Sequence, residues 1–262
     1  MIHQLRLIAV FFRLGVLNEL QYRANFVVQL FQSLLGLGTA LGGLAVVFAH
    51  TDTLGGWRPA ELTALVGVYI LVGGVITLVI QPSMQQFMER VRLGTLDFTL
   101  TKPEDAQLLV SVLDVQIWKL ADIVLGLAVL ALALARLGAG LGPWRALGFA
   151  VALLAGGAIV YSFWLILATC SFWFVRVDNI LVIFQSMYDA GRWPIGIYPR
   201  GLRWALTFLV PVAFATTVPA QALTGRLTGA TLLGAVALAA GLLAVSRWFW
   251  TIGVRHYSGA SA

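Results

Sequence analysis

The sequence predicts an all-α membrane protein, and three observations carry that prediction. Of 262 residues, 60% are hydrophobic and only 11% are charged, where soluble domains carry about 25% charged residues. Mean hydropathy is +0.91. Crossing the hydrocarbon takes about 20 mostly apolar residues, and such runs fall at 26–49, 60–81, 108–135, 146–175 and 228–250. A sixth run, 179–197, is shorter and carries Asp189 and Arg192; counting it gives six transmembrane helices.

Ahead of the first span, Leu5, Ile8, Phe12, Val16 and Leu20 recur at helical spacing, with Arg6 and Arg13 one heptad apart beside them. Arg13 interrupts the early apolar run, and no small-residue cleavage site follows. The pattern predicts an interfacial elbow helix over 1–25 rather than a cleavable signal. Glu19, Tyr22, Arg23, Asn25 and Phe26 sit where that helix must bend into the first span. They either anchor the bend at the headgroups or brace the polar loop beyond the second span. Residues 26–262 read as a single transmembrane domain without a soluble module.

That polar loop, Met84 to Leu109 within the cytoplasmic stretch 83–107, is the least lipid-like part of the chain. Met84, Phe87, Met88 and Val91 form one apolar stripe at i, i+3, i+4 and i+7, while Gln85, Gln86, Glu89, Arg90 and Arg92 fill the opposite face. An amphipathic helix is expected, ended by Gly94. Leu96, Phe98 and Leu100 then alternate with Thr95, Asp97, Thr99 and Thr101, which predicts an extended stretch. Thr101 and Glu104, with Lys102 and Pro103 between them, have the spacing of a capping box opening the next helix.

Before the last span, glycines and prolines from Gly191 to Arg226 cut the chain into apolar pieces, 202–214 and 215–223, each too short to cross. A re-entrant pair of half-helices and a hairpin lying in the outer headgroups fit this pattern equally. Asp114, Lys119 and Asp122 near the third span are read as a self-neutralising structural group rather than an ion relay. Gln29, Gln32 and Ser33 on the first span are read as helix-to-helix contacts rather than a conduit lining. Gly38 and Gly42 form a GxxxG of low weight in a chain with 27 glycines.

Several functions are excluded. His3, His50 and His256 are too scattered to be assumed a shared metal site, the single Cys170 lies in an apolar run, and no HExxH, GxSxG or DDxxD occurs. Neither lysine, Lys102 or Lys119, stands in a P-loop, so this chain cannot hold ATP that way. The net charge of +6 lies mostly in arginines at span ends, not in a basic stripe, so nucleic acid is not expected and lipid headgroups are. With the N-terminus inside, ten basic residues fall on the cytoplasmic side and seven outside. The dissent comes from Gly191–Arg226, which places four arginines outside.

The elbow ELQYRANF at Glu19 to Phe26, the loop RVRLGTLDFTLTKP at Arg90 to Pro103 and the segment YPRGLRWALTFLVPVAFATTVPA at Tyr198 to Ala220 together resemble the membrane subunits of ABC-2 type exporters, in a short six-helix bacterial branch. The resemblance implies a multi-pass permease of the bacterial inner (plasma) membrane, with both termini cytoplasmic. It performs no bond chemistry and holds no cofactor; ATP and magnesium belong to a P-loop ATPase subunit, two copies of which join two permeases, identical or related. It further implies that Phe87, Met88, Glu89, Arg90, Arg92, Gly94, Thr95, Leu96, Asp97, Leu100, Lys102 and Pro103 couple to that ATPase. The elbow residues Arg13, Glu19, Tyr22, Arg23, Asn25 and Phe26 would brace the loop. The hairpin over 191–226 would be re-entrant from outside, with Tyr198, Pro199, Pro211, Phe214, Thr217 and Pro219 shaping the exit. An amphiphilic cargo is expected from the apolar first, second and fifth spans. The competing expectation is a stand-alone secondary transporter or channel, which calls for more charged groups deep in the spans.

Overall fold

A computed structural model of the chain describes residues 23–138, 142–174 and 178–257. The expected elbow helix, with Arg13, Glu19 and Tyr22, lies outside the described residues; Arg23, Asn25 and Phe26 belong to the first turns of α1 (Arg23–Phe48).

Apolar composition becomes helix throughout, because in hydrocarbon a backbone must satisfy its own hydrogen bonds. Helix α2 (Pro59–Arg92) runs 34 residues, about 51 Å at 1.5 Å per residue, so it outruns the bilayer core and carries its far end into the polar loop. After α3 (Asp97–Leu100) and α4 (Ala106–Ser111) come α5 (Leu120–Leu137) and α6 (Pro143–Thr169). A short α7 (Asp178–Asp189), the bent pair α8 (Arg200–Leu209) and α9 (Val212–Thr224), and the long α10 (Gly229–His256) complete the order. Among the described residues five helices are long and apolar enough to cross a membrane, and six if the pair α8 and α9, bent by 71°, counts as one span.

The expected span 179–197 is not one of them. Helix α7 has 12 residues, about 18 Å against a hydrocarbon layer of about 30 Å. Beyond it the chain breaks into 3-10 turns at Ala190–Arg192 and Ile195–Ile197, with Trp193 extended (φ −110°, ψ 152°). Trp193 precedes Pro194, whose ring disfavours a helical residue before it. The expected third span also divides, into α4 and α5 with an irregular linker at 112–116.

Helices α2 and α5 share the most extensive contact among the described helices, along a seam of glycines. A Cβ on Gly126 would fall 2.6 Å from the Leu71 nitrogen, and one on Gly67 or Gly74 would strike Leu130 or Ile123 at 2.8 and 2.9 Å. Small residues let membrane helices approach where no hydrophobic force distinguishes helix from lipid. Gly38 and Gly42 have no such neighbour within 4 Å; that GxxxG packs nothing among the described residues. The larger buried cluster gathers around α2, where Leu62, Leu65, Val68, Ile76 and Met84 join Trp164 and Leu165 of α6 and Tyr188 of α7.

Candidate functional site

The polar loop is built on the inner end of α2. Pro82 has no N–H, so the Leu78 carbonyl four residues earlier loses its helical donor. The helix passes this point as a π turn, Ile76–Ile80, and the Gln116 N–H donates to the Leu78 carbonyl at 2.8 Å instead. One turn on, Ser83 Oγ donates to the Asp114 carbonyl (2.9 Å) and accepts from the Asp114 N–H (3.2 Å). The linker between α4 and α5 is thus stitched to α2 where α2 is irregular.

Beyond the stitch the expected stripe turns inward: Met84, Phe87 and Met88 are buried. The Phe87 ring lies 5.5 Å from Phe172 and 5.2 Å from Trp250, centroid to centroid, which ties α2 to the end of α6 and to α10. Gly94 stops the helix as expected, with φ +69°. The Gly94 N–H reaches the Val91 carbonyl (3.2 Å) and the Thr95 N–H the Arg90 carbonyl (2.9 Å), the paired bonds of a Schellman ending. Arg90 Nη1 also donates to Thr99 Oγ1 at 3.0 Å, folding the next turn back onto α2.

Two local expectations are corrected. The stretch after Gly94 is not extended: it forms the helical turn Asp97–Leu100, closed by Leu100 N–H to Leu96 carbonyl at 3.1 Å. Leu96 is fully buried and Leu100 half-buried, while Phe98 points away, so i, i+4 spacing wins over alternation. The Thr101–Glu104 capping box does not form either. The Thr101 hydroxyl turns back to the Asp97 carbonyl (2.9 Å), and Asp105 caps α4 by accepting from the Leu108 N–H (3.2 Å).

Asp105 does more than cap. Its carboxylate takes both Arg247 Nη1 (2.9 Å) and Nη2 (2.6 Å) from α10, while Nη1 also reaches Gln107 Oε1 (2.9 Å). Hydrogen bonding from Arg247 holds the Asp105 carboxyl below its ordinary pKa despite partial burial. Ser111 Oγ and Tyr161 Oη lie 2.7 Å apart, extending this network to α6. At the end of α10, the Tyr257 hydroxyl is buried without closing a hydrogen bond and faces the Leu96 and Asp97 amides; burial raises its pKa.

Of the residues expected to couple, Phe87, Met88 and Leu96 are therefore internal struts, and Glu89, Arg90, Gly94, Thr95, Asp97 and Leu100 are half-buried. Arg92, Lys102 and Pro103 are exposed, Arg92 paired with Glu89 at 2.6 Å. Sequence reasoning passed over the two apolar side chains that the loop presents outward, Leu93 (60% exposed) and Phe98 (74%). Their signal was available: Leu93 abuts the helix-ending glycine, and Phe98 falls out of phase with Leu96 and Leu100.

At the opposite end of the molecule, the segment 191–226 is packed into the protein over Val210–Leu223, whereas α8 leaves Leu202, Trp204, Phe208 and Leu209 exposed. The Tyr198 hydroxyl donates to the Ala190 carbonyl (2.9 Å), Pro199 precedes α8, and the bend lies at Val210–Pro211. Thr217 and Pro219 are buried, and the Phe214 carbonyl comes so near α6 that a Cβ on Gly156 would sit 2.5 Å from it. Arg226 explains part of the charge excess assigned to this side. It grips the buried Glu61 through Nε (3.1 Å) and Nη2 (2.7 Å), donates to the Gly56 carbonyl (2.7 Å) and lies 5.1 Å from the Trp57 ring centre.

Five membrane-length helices, with a folded polar loop at one end and a bent helix pair at the other, define a multi-pass membrane protein. The family model for the ABC-2 family transporter protein matches residues 34–261. The chain belongs to that family and is a membrane permease of an ABC transporter. No curated protein and no solved structure matches it.

Proposed function

We propose that this permease is the export subunit of its transporter and is driven by a separate P-loop ATPase through residues 84–103. The observation that carries the reading is Leu93 and Phe98, two exposed apolar side chains on an otherwise polar loop that is locked to α2, α6 and α10. A docking patch needs apolar anchors on a rigid base, and such anchors dominate interface energies. Force applied there is delivered to α2, a helix about 51 Å long.

The working unit in this reading holds two ATPase subunits, which supply ATP and magnesium chemistry, and two permeases, identical or related. The loop side and both termini face the cytoplasm of the cell inner membrane. The bent pair α8 and α9 is re-entrant and shapes the exit with Tyr198, Pro199, Pro211, Phe214, Thr217 and Pro219; the close seat of the Phe214 carbonyl on Gly156 supports burial of irregular backbone in protein, as re-entrant segments require.

Co-purification tests the coupling. Leu93→Asp and Phe98→Asp each weaken ATPase association at least tenfold, about 1.4 kcal/mol, and leave the permease's melting temperature unchanged. Full retention of the ATPase by the double variant overturns the reading.

A further inference from the structure

A cavity of about 220 Å³ lies at the end of the molecule opposite the polar loop, where the last turns of α1 and α5 meet the first turn of α2. Its α1 wall is the stripe Leu41, Leu44, Ala45 and Phe48, at i, i+3, i+4 and i+7, about 10 Å of helix at 1.5 Å per residue. Leu132 and Arg136, one turn apart on α5, form the facing wall. Ala45 and Leu132 are exposed, so the cavity is a groove open on the lipid side and not a sealed void. Helix α1 also has the least protein around it of the five membrane-length helices, with 11% of its apolar window buried.

Two features of the groove choose its occupant. Thr63 and Arg136 are the polar side chains that line it, and the Thr63 hydroxyl is spent on the Pro59 carbonyl at 2.9 Å. Arg136, exposed in the last turn of α5, has no hydrogen-bond or ion-pair partner among the described residues. No carboxylate lines the groove. Of the two acids at this end among the described residues, Glu61 is held by Arg226 at 2.7 Å and Asp52 lies outside the lining. The same end gathers Arg58, Arg145, Arg200 and Arg203, the charges that oppose the positive-inside rule.

We infer that this groove binds one anionic phospholipid, with its phosphate on the Arg136 guanidinium and part of an acyl chain along the α1 stripe. A guanidinium fork pairs with phosphate oxygens bidentately, and an apolar slot beneath it accepts hydrocarbon. The ammonium of a zwitterionic head meets no carboxylate here, so net negative heads are preferred. The bound chain supplies α1 with packing against α2 and α5 that the protein itself leaves open.

The test titrates purified full-length permease in dodecyl maltoside micelles with dioleoylphosphatidylglycerol or dioleoylphosphatidylcholine, which share both chains and differ in net head charge. Native mass spectrometry follows the first lipid bound. Wild type binds the phosphatidylglycerol about fivefold tighter, a ratio equal to about 1 kcal/mol and typical of one arginine at a lipid surface. Arg136→Gln binds the two lipids equally, and Arg136→Lys keeps a preference. Arg200→Gln, at the same end but outside the groove lining, keeps the full fivefold. Ala45→Phe fills the slot from its exposed wall and weakens both lipids at least threefold. Ala45 and Arg136 are both exposed, so the variants melt with wild type.

Equal affinity of wild type for the two lipids, a full preference in Arg136→Gln, or unchanged binding by Ala45→Phe overturns the inference. So does a wild-type dimer that takes up no lipid and dissociates on Ala45→Phe, which assigns the groove to a second copy of the chain. No ATPase enters the measurement, so its failure leaves the coupling reading standing, and loss of ATPase association leaves this one standing.

Discussion

Adjacent glycines on α6 provide a comparison in which the structure separates two nearly identical substitutions. A Cβ on Gly156 would lie 2.5 Å from the Phe214 carbonyl oxygen and 3.1 Å from the Ala215 Cα; one on Gly157 has nothing within 4 Å. Gly156→Ala thus drives a methyl into backbone that cannot rotate away, and either α6 or the bend of α8 and α9 must withdraw by several tenths of an ångström. Overpacking of this kind costs about 1–3 kcal/mol. Gly157→Ala gains helix propensity, roughly 0.5–1 kcal/mol, with no clash. Because Gly156→Ala makes the same gain, the difference between the variants isolates the clash. At about 2–4 °C per kcal/mol for a chain near this size, Gly156→Ala melts roughly 2–12 °C below Gly157→Ala. Thermal unfolding of both purified variants in the same detergent, followed by tryptophan fluorescence, reads the gap directly. Coincident melting curves refute the claim that the bent pair is seated on Gly156, and with it the argument that irregular backbone is buried there.

Phe87→Ala removes a fully buried ring from between Phe172 and Trp250 and costs about 3–5 kcal/mol of stability; denaturant unfolding that shows less than 1 kcal/mol dismisses the strut. Arg247 depresses the folded pKa of Asp105, so this pair contributes fully above the ordinary carboxylate range, and the contribution fades as pH falls through the lowered folded value. Both side chains are substantially exposed, 50% for Arg247 and 36% for Asp105, and screening limits the effect to about 0.5–1 kcal/mol. Asp105→Asn should therefore lower the melting temperature at pH 7, with the loss shrinking in acid and in molar salt; a loss that grows in acid is the contrary outcome. Pro82→Ala restores an N–H that competes with Gln116 for the Leu78 carbonyl, so hydrogen exchange at the Gln116 amide accelerates at least tenfold, and unchanged protection contradicts the stitch.

What the sequence made legible was whatever a short period records. The stripe Met84, Phe87, Met88 is buried as its spacing required, and Gly94 ends the helix with the left-handed φ that glycine tolerates. Composition alone fixed the membrane class. Illegible were the features that depend on a distant partner. Nothing within 179–197 announces that it stops after 12 helical residues except Gly191 and Pro194, and both were outweighed by the apolar count. The Asp105–Arg247 and Glu61–Arg226 pairs join residues 142 and 165 positions apart, a separation on which local pattern is silent. Alternation of Leu96, Phe98 and Leu100 misled because three apolar residues at even spacing also fit one helical turn whose middle side chain faces outward.

The position of the π turn decides how motion at the loop reaches the far half of α2. Helix α2 carries Leu93 at one end and Tyr69 in its opposite half, and its only departure from α-helical bonding among the described residues, Ile76–Ile80, lies between them. A helix interrupted by a π turn and a proline is where bending concentrates. Here that point is splinted from outside: Gln116 bonds the Leu78 carbonyl on one side of Pro82, and Asp114 bonds Ser83 on the other. Both bonds come from one short linker, so bending α2 at the irregularity must stretch or break them together. Displacement of the loop is then passed along α2 rather than absorbed at the bend, and Tyr69 and Thr77, which line a pocket between α1, α2, α5 and α7, move with it. Ser83→Ala combined with Gln116→Pro, which has no N–H to donate, removes the splint, leaves Pro82 and the π turn in place and touches neither end. If α2 works as a rod, this double variant keeps ATPase association and loses ATP-driven transport; unchanged transport refutes the rod.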